Sequence, residues 1–83
     1  MEGKKVGEVF TYFAKVGVAG VKITDDALSV GDKILIKGAS TNLEQVVESM
    51  QIDKDAIQKA EAGQSVGLKV MDKVRPGDLV LKI

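Results

Sequence analysis

Valine, isoleucine and leucine recur along this chain in short alternating runs punctuated by glycine and aspartate, a pattern that predicts strands rather than helices. The first run, Val6 to Phe13, sets Val9, Thr11 and Phe13 on one face and Glu8, Phe10 and Tyr12 on the other. Lys15-Val16-Gly17 turns the chain into a second run, Val18 to Ile23, with Ala19, Val21 and Ile23 on one side and Lys22 on the other. Gly17 and Gly20 predict a bend or a close backbone approach in this region. Thr24-Asp25-Asp26 reads as a turn, because short polar side chains hydrogen-bond their own backbone. Leu28 to Asp32 is a short hydrophobic anchor ending in a glycine turn. Lys33 to Lys37 then alternates, with Ile34 and Ile36 inward and Lys33, Leu35 and Lys37 outward.

Beyond a small polar loop at Gly38 to Asn42, the longest run extends from Leu43 to Ile52. As a strand it sets Val46, Met50 and Ile52 against Val47, Ser49 and Gln51; as a helix it aligns Leu43, Val46, Val47 and Met50. Recurrent β-branched residues favour the strand. Ala56, Ile57 and Ala60 fall at helical spacing between Asp53 or Asp55 as caps and Gly63, which predicts at most one short helical turn near residues 54–60. Val66, Leu68 and Val70 alternate with Gly67 and Lys69. In Arg75-Pro76-Gly77-Asp78 proline presets φ and glycine permits a positive φ, a strong turn before the final run, Leu79 to Ile83.

Six such strands predict an all-β domain, a small closed barrel of Greek-key type, since closure hides sheet edges from other chains. The 83 residues suffice for one domain, expected over 6–83 after a flexible lead-in at 1–5. No apolar run approaches the ~20 residues that span a bilayer, and no secretory leader core follows the first lysines. A cytoplasmic location away from membranes is the expectation.

The chemistry is sparse. Cysteine and histidine are both absent, which removes thiolates, the usual neutral-pH acid–base group and the commonest metal ligand. No phosphate-cradling loop of the Gly-x-x-x-x-Gly-Lys-Ser/Thr type is present. Asp25-Asp26 and the Asp53, Asp55 pair read as turn and capping carboxylates, too few for a cation site by themselves. The expectation is a protein without catalytic residues, cofactor or metal.

Twelve basic and twelve acidic residues cancel, so net charge predicts no attraction to polyanions. The segment Gly38 to Gln64 is acidic and Ser65 to Ile83 basic. Lys22, Lys33, Lys37 and Lys69 all fall on outward strand faces, either as a patch for phosphate contacts or as solubilising charges. Phe10 and Tyr12 either present a stacking surface or fill the core.

With strands and turns in order, the sequence resembles the second domain of translation elongation factors of the Tu type and small stand-alone elongation-factor-like proteins. The resemblance rests on Gly17-Val18-Ala19-Gly20-Val21, Leu28-Ser29-Val30-Gly31-Asp32-Lys33-Ile34, Val47-Glu48-Ser49-Met50-Gln51-Ile52, Ala60 to Leu68 and Arg75-Pro76-Gly77-Asp78. It implies a translation-protein-type barrel that contacts RNA, the ribosome or an adjoining GTPase domain, with no GTP binding by this chain alone. In that family a glutamate meets the terminal adenosine of transfer RNA; Gln51 stands at the matching position, and its amide can still hydrogen-bond a ribose hydroxyl. RNA contact through Lys22, Lys33, Lys37, Gln51 and Lys69 is the resulting expectation. A similar barrel ends some collagenase-like peptidases, which implies the alternative, a protein-interaction module docking onto a partner enzyme such as a peptidase or a GTPase.

Overall fold

The computed structural model describes residues 3–83; Met1 and Glu2, the start of the expected flexible lead-in, lie outside them. The described residues are all-β, with no helix. The strands are β1 (Lys4–Phe13), β2 (Val18–Ile23), β3 (Leu28–Ser29), β4 (Lys33–Lys37), β5 (Asn42–Val46), β6 (Met50–Ile52), β7 (Asp55–Ile57), β8 (Lys59–Ala60), β9 (Ser65–Lys69) and β10 (Leu79–Lys82). Eight form one sheet in the order β5-β4-β10-β1-β2-β9-β6-β7, and β3 pairs with β8 apart from it. Every pairing is antiparallel.

The sheet has to curl. From β5 to β6 there are six ladder steps, about 29 Å if the sheet lay flat. Yet only Val47, Glu48 and Ser49 connect these strands, and the four residue steps from Val46 to Met50 reach at most about 14 Å. The link is pinned: Val47 N–H donates to Asp32 O at 2.8 Å, and Gly31 N–H donates to Val47 O at 2.9 Å. Lys69 N–H donates to Ser49 O at 3.2 Å from the opposite side. Val47 is buried by this crossing.

Two bulges shape β1. Its register slips between Lys5 and Gly7 against β10, and between Val9 and Thr11 against β2. An extra residue reverses the alternation of faces. Consequently Val6, Val9 and the partly buried Tyr12 all turn toward the core, at spacings of three rather than two. The Arg75–Asp78 turn seats on the second irregularity. Gly77, with φ of 96°, donates to Val9 O at 2.7 Å, and Val9 N–H donates to Asp78 O at 2.8 Å. The Asp78 carboxylate accepts from Arg75 N–H at 2.8 Å and closes the turn.

Ile34, Ile36, Val66 and Leu68 point inward as their alternation predicts. Other expectations are corrected. Phe13 is 54% exposed, because the bulge at Phe10 turns it away from the face of Val9. The run Leu43 to Ile52 is two strands broken at the crossing. Gln45 and Val47 face inward there, and Val46 is 48% exposed. Residues 54–60 form β7 and β8 rather than a helical turn: pairing of Asp55, Ala56 and Ile57 with β6 takes the backbone groups a helix needs.

Candidate interaction groove

A groove of about 440 Å³ opens on the outer face where β1, β2, β9 and the β6–β7 hairpin meet. Its floor lacks side chains of its own at two positions, because Gly20 of β2 lies opposite Gly67 of β9, and Gly67 lies opposite Gln51 of β6. The Phe10 ring leans over Gly20: a Cβ there would stand 2.9 Å from Phe10 Cζ and 2.6 Å from Thr11 Cγ2. The Gln51 side chain leans over Gly67 in the same way, with Cγ 3.3 Å from the position of a Cβ. Glycine at both positions lets two larger side chains lie down on the sheet.

Phe10, Phe13 and Val16 line the groove and are 53%, 54% and 67% exposed. Exposed apolar residues clustered along one strand and its turn mark an interaction surface more than single ones do. The other wall is the β6–β7 hairpin, where Asp53 and Lys54 carry opposite charges and positive φ values of 50° and 71°. The backbone of Gln51 belongs to the β6 ladders, but its side chain makes no hydrogen bond among the described residues, so the side-chain amide can both donate and accept. Gln45, the buried glutamine of β5, is by contrast fully engaged. It donates to Lys69 O at 2.9 Å and accepts from Met71 N–H at 2.8 Å.

The lysines singled out from the sequence do not converge. Lys33 and Lys37 sit on β4, which β10 and β1 separate from Lys22 on β2. Lys22 lies opposite Glu8 and Ser65, whereas Lys69 lies opposite Val18, about 13 Å along the same ladder. Lys33 is also ion-paired with Glu44 at 2.9 Å. None of the four lines the groove that holds Gln51; its basic residue is Lys54. Phe10 belongs to the surface and Tyr12 packs against the core, so the two readings of this pair divide between them.

Among the described residues no group of three acidic side chains gathers at a point that could hold a metal. Asp26 serves the turn after β2, accepting from Ala27 N–H at 2.8 Å and lying 3.6 Å from the Lys4 ammonium. That hydrogen bond, with the nearby Lys4 charge, holds the Asp26 carboxyl below its usual value. No helix among the described residues is long and apolar enough to cross a membrane.

Fold and groove together define a small all-β domain that presents an apolar, glycine-floored surface. No protein-family model matches the chain. It is 42% identical over 77 residues to an uncharacterized protease of Methanocaldococcus jannaschii, covering 92% of this chain and 19% of the protease. It is 38% identical over 74 residues to a collagenase of Porphyromonas gingivalis, covering 88% of this chain and 20% of the collagenase. The chain thus spans about a fifth of the length of these relatives. Among solved structures, it shares the fold of the C-terminal domain of a putative U32 peptidase from Geobacillus thermoleovorans. The TM-score is 0.88 at 24% identity, over 95% of this chain and 99% of that one. GDP-bound aIF5B from Aeropyrum pernix matches at a TM-score of 0.65 and 14% identity, over 95% of this chain and 14% of that one, a likeness of fold alone.

These comparisons correct the expected kinship with elongation factors and the expected RNA or ribosome contact. The relatives in sequence are proteases. The segments that carried the resemblance are strand runs and turns, Val30-Gly31-Asp32 and Arg75-Pro76-Gly77-Asp78 among them, which report how the chain folds and not what it binds.

Proposed function

We propose that this chain is a non-catalytic accessory module that docks onto the body of a peptidase of the U32 type. One observation carries this reading: nearly the whole chain is matched, at 42% identity, by a segment making up only 19% of a protease. In such a protein the domain has a large polypeptide neighbour, and the exposed Phe10, Phe13 and Val16 are what a neighbour would cover. A rigid docking surface asks for a closed barrel. The short Val47–Ser49 link and the Gln45 bridge to Lys69 and Met71 support closure of the curled sheet.

The test is direct association. The M. jannaschii protease with its matching segment deleted, first shown by circular dichroism and gel filtration to be folded and monodisperse, is mixed with this chain. The reading expects a saturable complex that survives nuclease treatment and moderate salt. Separate elution at concentrations well above micromolar contradicts it.

A further inference from the structure

The geometry points to the Gly20–Gly67 groove as the docking site, and we infer that its occupant is an extended, uncharged stretch of the peptidase body bearing one large apolar side chain. This inference rests on the accessory-module reading and adds to it the surface and the chemistry of the partner.

Three features of the groove select such an occupant. Phe10 and Phe13 line the groove together with the hairpin, and each exposes about half of its surface to water, an apolar area that a large apolar side chain would cover. Aromatic anchors that lose water on binding supply most of the affinity in protein interfaces. Gln51 supplies the polar complement: a side-chain amide donates one hydrogen bond and accepts another, which matches a peptide group and carries no charge. Gly20 and Gly67 let the Phe10 ring and the Gln51 side chain lie close against the sheet, which sets the apolar anchor and the amide at fixed places along the groove.

Charge narrows the choice further. The charged residues that line the groove are Asp53 and Lys54, adjacent and opposite in sign, so neither a strongly acidic nor a strongly basic segment gains there. A second apolar face, around Val46 and Met71, is bordered by Glu44 and Glu48 and lacks this neutrality. The occupant is a polypeptide rather than a small molecule because in the matched protease four-fifths of the chain is other polypeptide.

The experiment uses overlapping synthetic peptides that tile the M. jannaschii protease outside its matching segment, titrated calorimetrically into the full 83-residue chain. A restricted set of tiles, uncharged and bearing an aromatic or large aliphatic residue, is expected to bind. Phe10→Ser and Gln51→Lys are each expected to weaken that binding about tenfold or more, and Met71→Ser to leave it unchanged. Gln51 is solvent-exposed, so Gln51→Lys keeps the fold even if Phe10→Ser does not; circular dichroism verifies each variant. Absence of any binding tile overturns the inference, as does binding that is indifferent to both groove variants or lost only in Met71→Ser. If the intact peptidase body still binds Gln51→Lys as it binds the wild type, the groove assignment falls and the accessory reading stands. If the body binds no form of the chain, both fall.

Discussion

The side-chain oxygen of Gln45 accepts the backbone N–H of Met71 at 2.8 Å, while its amide nitrogen donates to Lys69 O at 2.9 Å. Gln45 lies on β5, at one edge of the eight-stranded sheet, and Lys69 ends β9, near the other edge. One buried side chain therefore ties β5 to the end of β9 and to the residues after it, across the curl of the sheet. Removing it leaves a main-chain donor and acceptor without partners. Gln45→Ala is expected to destabilise the fold by about 2–3 kcal/mol. Val46→Ala, at the exposed neighbour, should stay within about 0.5 kcal/mol. Urea denaturation of the two variants measures the difference.

Gly20 and Phe10 are coupled in the same way on the outer face. A methyl group at residue 20 would stand 2.6 Å from Thr11 Cγ2 and 2.9 Å from Phe10 Cζ, so the ring must swing away. Gly20→Ala is expected to cost about 1–3 kcal/mol and to move the Phe10 ring resonances. Gly67→Ala, where the nearest atoms stand at 3.2 and 3.3 Å, should cost less. Equal costs for the two substitutions, with Phe10 resonances unmoved, would show that the ring does not lie on Gly20.

The β6–β7 hairpin turns through Asp53 and Lys54, both with positive φ. Aspartate tolerates the left-handed region better than lysine does. Replacing Lys54, at φ of 71°, by glycine relieves this strain but adds freedom to the unfolded chain. The balance is expected to favour Lys54→Gly by about 0.5–1 kcal/mol in thermal and urea unfolding. A destabilised variant would mean that the lysine stem contributes packing that outweighs the strain.

Asp26 sets a modest pH dependence. Its carboxyl titrates below its usual 3.8 in the folded chain, first because it accepts from Ala27 N–H and then because Lys4 lies near. A depressed folded value favours the ionised form on folding, so the contribution is complete above the unfolded value. It fades as the pH falls through the folded value and vanishes below both. The stability gap between wild type and Asp26→Asn should therefore be constant near neutrality and narrow below about pH 4, where unfolded carboxylates begin to protonate. Because the carboxylate is solvent-exposed, added salt should shrink the gap. A gap that widens on acidification contradicts this account.

Much of the architecture was legible where alternation runs uninterrupted. Ile34 and Ile36, Val66 and Leu68, and the Arg75–Asp78 turn sit as their spacing predicts. The reading fails wherever one residue breaks the period. The bulge at Phe10 exposes Phe13, and the crossing at Val47 inverts Val46; a period of two has no means of announcing either slip. Ala56, Ile57 and Ala60 obey a helical spacing, yet the tertiary partner, β6, decides their conformation. Of the groove, Gln51 was singled out by a resemblance to elongation factors that the comparisons overturn, and Phe10 as one of two aromatics open to either side. Its floor could not be read at all. Gly20 and Gly67 are far apart in sequence and become neighbours only through the β2–β9 register.

The central claim is that this face of the sheet, and no other, meets a peptidase body. Amide resonances of the isotope-labelled chain, followed while the protease lacking its matching segment is added, test it most directly. The account predicts that Phe10, Phe13, Gly20, Gln51 and Gly67 shift or broaden while Lys33, Lys37 and Leu79 stay in place. A titration that leaves the groove resonances unmoved, or that perturbs only the β4–β10 side, contradicts it.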